Sequence, residues 1–286
     1  METRPFLKKR LGQCLLTDRN MLALIVRTVD PRPDDLILEV GAGTGNLTEP
    51  LVERAGFVVA VELDPRLSAE ARRRLGDRPN LSLLEGDVLA GKRALAPGVL
   101  DEVEHRRAGR RFRIASNLPY AISVPFLTLL LESRLAWHDM VVLVQREVAD
   151  RLMAGAGGRD YGAFSVKAGL WSRIEKVRDV PPQVFTPRPR VDSTLVRLVP
   201  TGRPPPAPEE RAALDRALAL VFEARRKTLL RAMERKGWAR PRAQEVLARL
   251  GLEASARGEE LEPERFLELA REVGVPGSHE PPRAAP

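Results

Sequence analysis

Residues 36–45 read Leu-Ile-Leu-Glu-Val-Gly-Ala-Gly-Thr-Gly. A short apolar run that stops at glycines reads as a buried strand closed by a turn, and helical spacing resumes from about Asn46. The same order recurs along the chain. Phe57 to Leu63 is a second strand with Glu62 at its end, and Pro65 opens a helix where proline is tolerated. Leu81 to Leu84 is followed by Glu85-Gly86-Asp87. Phe112 to Ala115 runs into Asn117-Leu118-Pro119-Tyr120, with a helix from about Ser123 to Leu131. Met140 to Val144 precedes a helical stretch from Gln145 to Met153. Strands alternating with helices require crossover connections. The fold class is therefore α/β, with a largely parallel sheet covered on both faces.

The remaining segments complete this plan. Thr17 or Asp18 caps a helix with apolar positions at Leu22, Ile25, Val26 and Val29. Residues 91–111 are polar and charged, with at most a short helix. Phe164 to Trp171 reads as another helix. Arg173 to Val180 and Ser193 to Val199 read as closing strands; a non-helical, proline-rich loop joins them, so they form an antiparallel edge. The expected domains are a basic arm (1–16), a sheet domain (17–200), a Pro-rich linker (201–208), a small all-helical domain (209–273) and a disordered Pro/Gly-rich tail (274–286).

The strand ends carry the polar groups, and ligands bind there in open α/β sheets. Gly41, Gly43 and Gly45 let the backbone approach a ligand closely. Their G-x-G-x-G spacing differs from the dinucleotide fingerprint. Glu62 is placed to accept from both hydroxyls of a ribose, and Asp87 from an adenine amino group. Together these describe an adenosine pocket without provision for a pyrophosphate, a pattern that resembles methyltransferases using S-adenosylmethionine.

Asn117-Leu118-Pro119-Tyr120 lies on the same rim. Pro119 has no N–H and ends the strand. The segment is either a tight turn with a half-buried tyrosine or a site for a planar amine. In the second reading Asn117 and the Leu118 carbonyl accept from an exocyclic amine while Tyr120 stacks on its ring. Phe185, in the loop before the last strand, is either a core residue or the second stacking face.

Composition narrows the partners. The 286 residues carry a net charge of +8, which favours an anionic partner, nucleic acid above all. From Arg225 to Arg242 eight basic residues face the single acid Glu234. Arg225, Arg226, Lys227 and Arg231 are candidate phosphate contacts, or else a solvated helix face. Lys8, Lys9 and Arg10 form a weaker second patch or a mobile basic tail. A single cysteine excludes a disulfide framework and suits a reducing cytoplasm. Three scattered histidines without cysteine partners give no metal site. No apolar run approaches the ~20 residues of a membrane span, and no signal peptide is read, so no membrane role is expected.

Longer matches carry a family resemblance. Lys9-Arg-Leu-Gly-Gln13, Glu39-Val-Gly-Ala-Gly-Thr-Gly-Asn-Leu-Thr48, Asn117-Leu-Pro-Tyr120, Gln145-Arg-Glu-Val148, Tyr161-Gly162 with Ser165-Val166, Phe185-Thr-Pro-Arg-Pro-Arg-Val-Asp-Ser193 and Phe222-x-x-Arg-Arg-Lys-Thr228 resemble KsgA/RsmA-type ribosomal RNA small-subunit dimethyladenosine transferases. The resemblance spans about residues 8–273. It implies a Rossmann-like methyltransferase domain with a small helical domain. It also implies S-adenosylmethionine-dependent transfer of two methyls to N6 of each of two adjacent adenosines near the 3′ end of small-subunit rRNA. The implied partner is the immature small subunit; separately, no helix shows an extended apolar face beyond core needs, so a monomer is expected. The family's cofactor positions fall on Cys14, Leu16, Gly41, Glu62, Asp87 and Asn117, with Gly43 in the same loop. The catalytic group is Asn117 to Tyr120 with Phe185. The family commonly has asparagine where this chain has Cys14. Losing one neutral hydrogen bond there costs on the order of 1 kcal/mol, or roughly five-fold in cofactor affinity. Ala121 also stands where the family often has asparagine.

Two other readings compete. One is a large-subunit rRNA dimethylase of the macrolide-resistance type; such sequences more often read Asn-Ile-Pro where this chain has Asn117-Leu118-Pro119. The other is an assembly factor with weakened catalysis, motivated by Cys14. A nicotinamide oxidoreductase fails on the glycine spacing and on the lack of a hydride-transfer acid.

Overall fold

The computed structural model describes residues 14–91 and 93–273. Lys8, Lys9, Arg10 and residues 274–286 lie outside that range. The described chain forms two compact units, residues 14–149 with 172–201, and residues 150–171 with 202–273.

The first unit contains, in chain order, β1 (Leu15–Leu16), α1 (Arg19–Val29), β2 (Asp35–Val40), α2 (Thr48–Val52), β3 (Phe57–Glu62), α3 (Pro65–Leu75), β4 (Leu81–Glu85), α4 (Pro97–Arg107), β5 (Arg111–Asn117), α5 (Ser123–Leu131) and β6 (Trp137–Gln145). Helix α6 (Arg146–Met153) carries the chain into the second unit, where α7 (Ala163–Trp171) follows. Strands β7 (Ser172–Val180), β8 (Phe185–Thr186) and β9 (Ser193–Pro200) belong again to the first. The second unit then resumes with α8 (Pro208–Phe222), α9 (Leu229–Arg235), α10 (Arg240–Arg249) and α11 (Pro263–Val273).

The large sheet has the order β4-β3-β2-β5-β6-β9-β7. Strands β4, β3, β2, β5 and β6 run parallel, and β9 and β7 close the edge in antiparallel pairings. This is the expected Rossmann-like arrangement. Strand order reverses between β2 and β5, and a crevice opens beyond their carboxyl ends at such a reversal. All residues of β2 and β3 are buried, as befits strands covered on both faces.

At the opposite, N-terminal side of the sheet, Arg113 is buried and pairs with Asp139 (2.6 Å) and Asp35 (3.0 Å). Arg197 reaches the same Asp139 at 2.9 Å. These contacts tie β2, β5, β6 and β9 together and keep buried charges paired.

Asp18, rather than Thr17, caps α1 by accepting from Met21 N at 2.8 Å. The buried face of α1 is Met21, Ile25, Val26 and Val29; Leu22 is only partly buried. Helix α4 occupies the polar segment. It buries only Val99 and Val103, so it has little apolar stripe to announce it.

In the second unit, residues 150–171 join the C-terminal helices. Tyr161 is buried, donates to the Leu261 carbonyl at 2.7 Å, and meets Phe222 edge-on at 6.0 Å. Phe222 stacks on Phe266 at 5.7 Å. Lys167 pairs with Asp215 at 2.7 Å, and Trp171 Nε1 donates to Pro204 O. The sequence pattern places 150–171 with the sheet domain; these aromatic and ionic contacts group it with the helices. No helix among the described residues is long and apolar enough to cross a membrane.

Candidate active site

A cleft opens at the carboxyl ends of β2, β3 and β5. Its lining includes Cys14, Leu16, Gly41, Gly43, Glu62, Asp87 and Asn117. The seven expected cofactor positions, scattered over a hundred residues of sequence, therefore share one cavity.

The glycine loop is shaped by close approaches. Gly41 has φ +77°, and a Cβ there would meet Pro119 Cγ at 2.8 Å. Gly43 has φ +58°, and its Cβ would meet Leu15 Cδ2 at 2.6 Å. Both conformations are disfavoured for any residue with a side chain. The loop is thus pressed between the rim motif on one side and β1 on the other.

Glu62 is buried at the end of β3. Its Oε2 accepts from Gly43 N at 2.7 Å and its Oε1 from Asp64 N at 2.8 Å. Burial pushes its carboxyl above the ordinary value, while these backbone donors oppose the shift. Each oxygen retains a lone pair for a ribose hydroxyl. Asp87 lies two residues beyond the end of β4, exposed, with Oδ1 accepting from Leu89 N at 2.9 Å.

Glu39 also lines the cleft, although no role follows for it from sequence alone. It is fully buried and its carboxyl is pushed from 4.5 up to about 8, by burial first. The neighbouring Thr48 side chain opposes the rise and the charge of Glu62 adds to it. Its Oε2 is buried without a hydrogen-bond partner among the described residues. An orphaned polar atom at a cleft wall suits a ligand that donates to it.

Asn117 closes β5. Its Nδ2 donates to the Cys14 carbonyl at 3.1 Å. Leu118 is buried and its N–H bonds Leu143 O at 3.1 Å, which fixes the backbone just before the proline. Tyr120 is half-buried, and its hydroxyl shares a hydrogen bond with Ser193 Oγ at 3.0 Å. Burial raises its phenol. Ser193 opens β9 and is fully buried. In the sequence it stands out only as the first residue of a strand run and the last of the Phe185–Ser193 match.

The arm is tied down at three points. Leu15 and Leu16 pair with Thr186 and Phe185. Asn46 Nδ2 donates to Leu16 O at 2.9 Å. Thr17 N donates to Val184 O at 3.1 Å. Cys14 is a free, partly buried thiol that burial raises above its ordinary value.

Phe185 differs from the stacking role expected for it. It is 3 % exposed and belongs to the core cluster with Leu16, Ile25, Val180 and Leu195. Strand pairing with the arm turns its ring inward, so in this conformation it presents no open face to a base.

The residues of the basic segment of the second unit differ in their contacts. Arg225 bonds Glu259 and donates to Gly158 O at 2.6 Å, holding two loops together. Arg231 is exposed but pairs with Glu234 at 3.0 Å. Arg226 and Lys227 are exposed with no ion pair among the described residues.

The sequence matches the family described as "Ribosomal RNA adenine dimethylase" over residues 6–273. It is 41% identical to "Ribosomal RNA small subunit methyltransferase A" of Rubrobacter xylanophilus, covering 93% of this chain and 95% of that protein. The protein of the same name from Moorella thermoacetica is 37% identical, covering 92% and 91%. Among solved structures, a dimethyladenosine transferase from Plasmodium falciparum is similar with a TM-score of 0.69 at 26% identity, covering 89% of this chain and 95% of that one. The 23S rRNA methyltransferase ErmE follows with a TM-score of 0.64 at 26% identity, covering 91% and 100%. The cleft, the rim motif and these likenesses agree: the chain belongs to the ribosomal RNA adenine dimethylase family.

Proposed function

We propose that this chain uses S-adenosylmethionine to dimethylate N6 of two adjacent adenosines near the 3′ end of small-subunit rRNA. The observation that carries the chemistry is the Asn117 amide, held at the cleft edge by the Cys14 carbonyl. With Nδ2 engaged there, Oδ1 is the end left to accept from an incoming amine.

The lone pair of an adenine N6 is delocalised into the ring, which makes it a weak nucleophile. Asn117 Oδ1 and the Leu118 carbonyl, both accepting from the amine hydrogens, draw the nitrogen toward tetrahedral geometry and stabilise its developing positive charge. S-adenosylmethionine supplies an electrophilic methyl on a sulfonium sulfur. The fit is supported by the glycine loop, the ribose acceptor Glu62, Asp87 and the orphaned Glu39 oxygen. Alignment of the two reactants contributes much of the remaining rate. The amine loses its proton to water after transfer, so no side-chain base is required. Tyr120, steadied by Ser193, offers its ring to the target base.

The implied partner is an immature small ribosomal subunit in the cytoplasm, met by a monomer. Arg226 and Lys227 are exposed in the helical unit, without an ion pair among the described residues, and suit RNA phosphate. A large-subunit target is a second reading, favoured by the likeness to ErmE. The names of the relatives at 37% and 41% identity favour the small subunit. Labelled S-adenosylmethionine, offered with undermethylated small subunits and separately with protein-free large-subunit rRNA, distinguishes them. Label confined to the small subunit supports the proposal; label confined to the large-subunit rRNA overturns it.

A further inference from the structure

The segment Thr186-Pro187-Arg188-Pro189-Arg190-Val191-Asp192 has no part in the chemistry above. Both of its ends are fixed at the active site. On one side, Phe185 and Thr186 pair with Leu16 and Leu15, next to the Cys14 carbonyl that holds Asn117. On the other, Ser193 bonds the Tyr120 hydroxyl, and Asp192 is secured by Arg146 through an ion pair at 3.0 Å and a backbone bond at 3.0 Å.

Between these anchors Arg188 and Arg190 are exposed, and neither has a hydrogen-bond or ion-pair partner among the described residues. No acid occurs from Pro181 to Val191. Val191 is 44 % exposed, one of two large apolar side chains so open among the described residues. Arg188 follows Phe185 by three residues, and Arg190 precedes Ser193 by three. An extended chain spans at most about 3.6 Å per residue, so each Cα lies within about 11 Å of its anchor. Prolines at 187 and 189 fix φ and lower the cost of ordering the loop against a ligand.

Two unpaired guanidiniums on a stiffened loop beside an aromatic base site suit a single polyanionic strand. We propose that Arg188 and Arg190 clamp RNA phosphates flanking the target adenine, with Val191 covering a sugar or base face. The clamp rests on the reading of this site as an RNA methyltransferase centre and adds to it a contact that fixes the strand at the point of reaction. Phosphate contacts of this kind set register and carry no base specificity of their own. An acidic protein partner would need the same charge but not its position next to Tyr120.

The test compares wild type, R188A/R190A and R188K/R190K. Binding to undermethylated small subunits is measured across a salt series, and S-adenosylmethionine binding is measured by calorimetry. The Ala pair is expected to bind subunits roughly ten-fold more weakly at low salt. Its log–log salt slope should be shallower by about 1.4, the value for two single-strand phosphates. The Lys pair should restore the slope, and cofactor affinity should match wild type in both. An unchanged slope in the Ala pair overturns the clamp, as does a Lys pair no better than the Ala pair. If wild type itself labels no small-subunit adenine, the reading of the site falls. If wild type labels and the Ala pair matches its slope and affinity, the clamp alone falls.

Discussion

Asn117 Nδ2 donates to the backbone carbonyl of Cys14 at 3.1 Å, across 103 residues of sequence. The bond uses the backbone of residue 14, so it survives whatever side chain stands there. The departure at Cys14 therefore leaves the orientation of the Asn117 amide intact and touches only what the side chain offers the cofactor. Cys14→Asn should tighten S-adenosylmethionine binding roughly five-fold, the worth of one neutral hydrogen bond. Its kcat should stay near wild type. Calorimetry and saturation kinetics read the two effects separately; a changed kcat with unchanged affinity would reverse the assignment.

The two glycines differ in what surrounds them. At Gly41 a Cβ meets the Pro119 ring, whose position sets Asn117 and Tyr120. At Gly43 it meets only the end of the Leu15 side chain, a terminal methyl that yields more readily than a proline ring. Gly41→Ala should therefore lower kcat by more than Gly43→Ala, while both lose on the order of 1 kcal/mol of stability from positive φ. Thermal melts and turnover on small subunits check the order.

Glu39 makes stability depend on pH. The folded carboxyl keeps its proton up to about pH 8, while an unfolded one loses it above its ordinary 4.5. Between these values folding takes up a proton, so this group's contribution falls as pH rises from 4.5 to 8 and is level above. The slope is at most about 1.4 kcal/mol per pH unit. Glu39→Gln, neutral throughout, should gain on wild type steadily from pH 5 to pH 8 in cofactor-free melts. A difference that stays flat would mean that Glu39 is ionised in the folded chain.

Arg225 and its neighbours should separate by assay. Arg225→Ala breaks the bonds to Glu259 and Gly158 and should cost about 1–3 kcal/mol of stability. The Arg226→Ala, Lys227→Ala pair should leave the melt unchanged and weaken subunit binding, with a shallower salt dependence. Equal melts for all variants would return Arg225 to the RNA-contacting group.

Strand ends were readable because buried parallel strands leave continuous apolar runs, and whatever interrupts them stands at the rim. Glu62, the glycine loop and Asn117 all surfaced in that way. Glu39 lies inside such a run and looked like part of the strand; only its burial and missing partner mark it. Phe185 has the same composition as a stacking residue or a core residue, and the β1–β8 pairing decides between them. Helix α4 buries too little to leave a pattern. Residues 150–171 show helical spacing, but periodicity names a face and never the partner that covers it, which Tyr161 and Lys167 find in the helical unit. The charge count over 225–242 was visible, and Arg231 meets Glu234 within α9 at i,i+3 spacing; that Arg225 faces Glu259 depends on a tertiary contact.

The most direct test of the whole account is base-resolved mapping of small-subunit rRNA after reaction with wild type and with Asn117→Ala. Wild type should place two methyls on N6 of each of two adjacent adenosines near the 3′ end. Asn117→Ala should bind the subunit normally and methylate at least about 10²-fold more slowly, the loss typical of removing one preorganised polar group. Equal rates for the two proteins, or wild-type methylation at other positions, would contradict it.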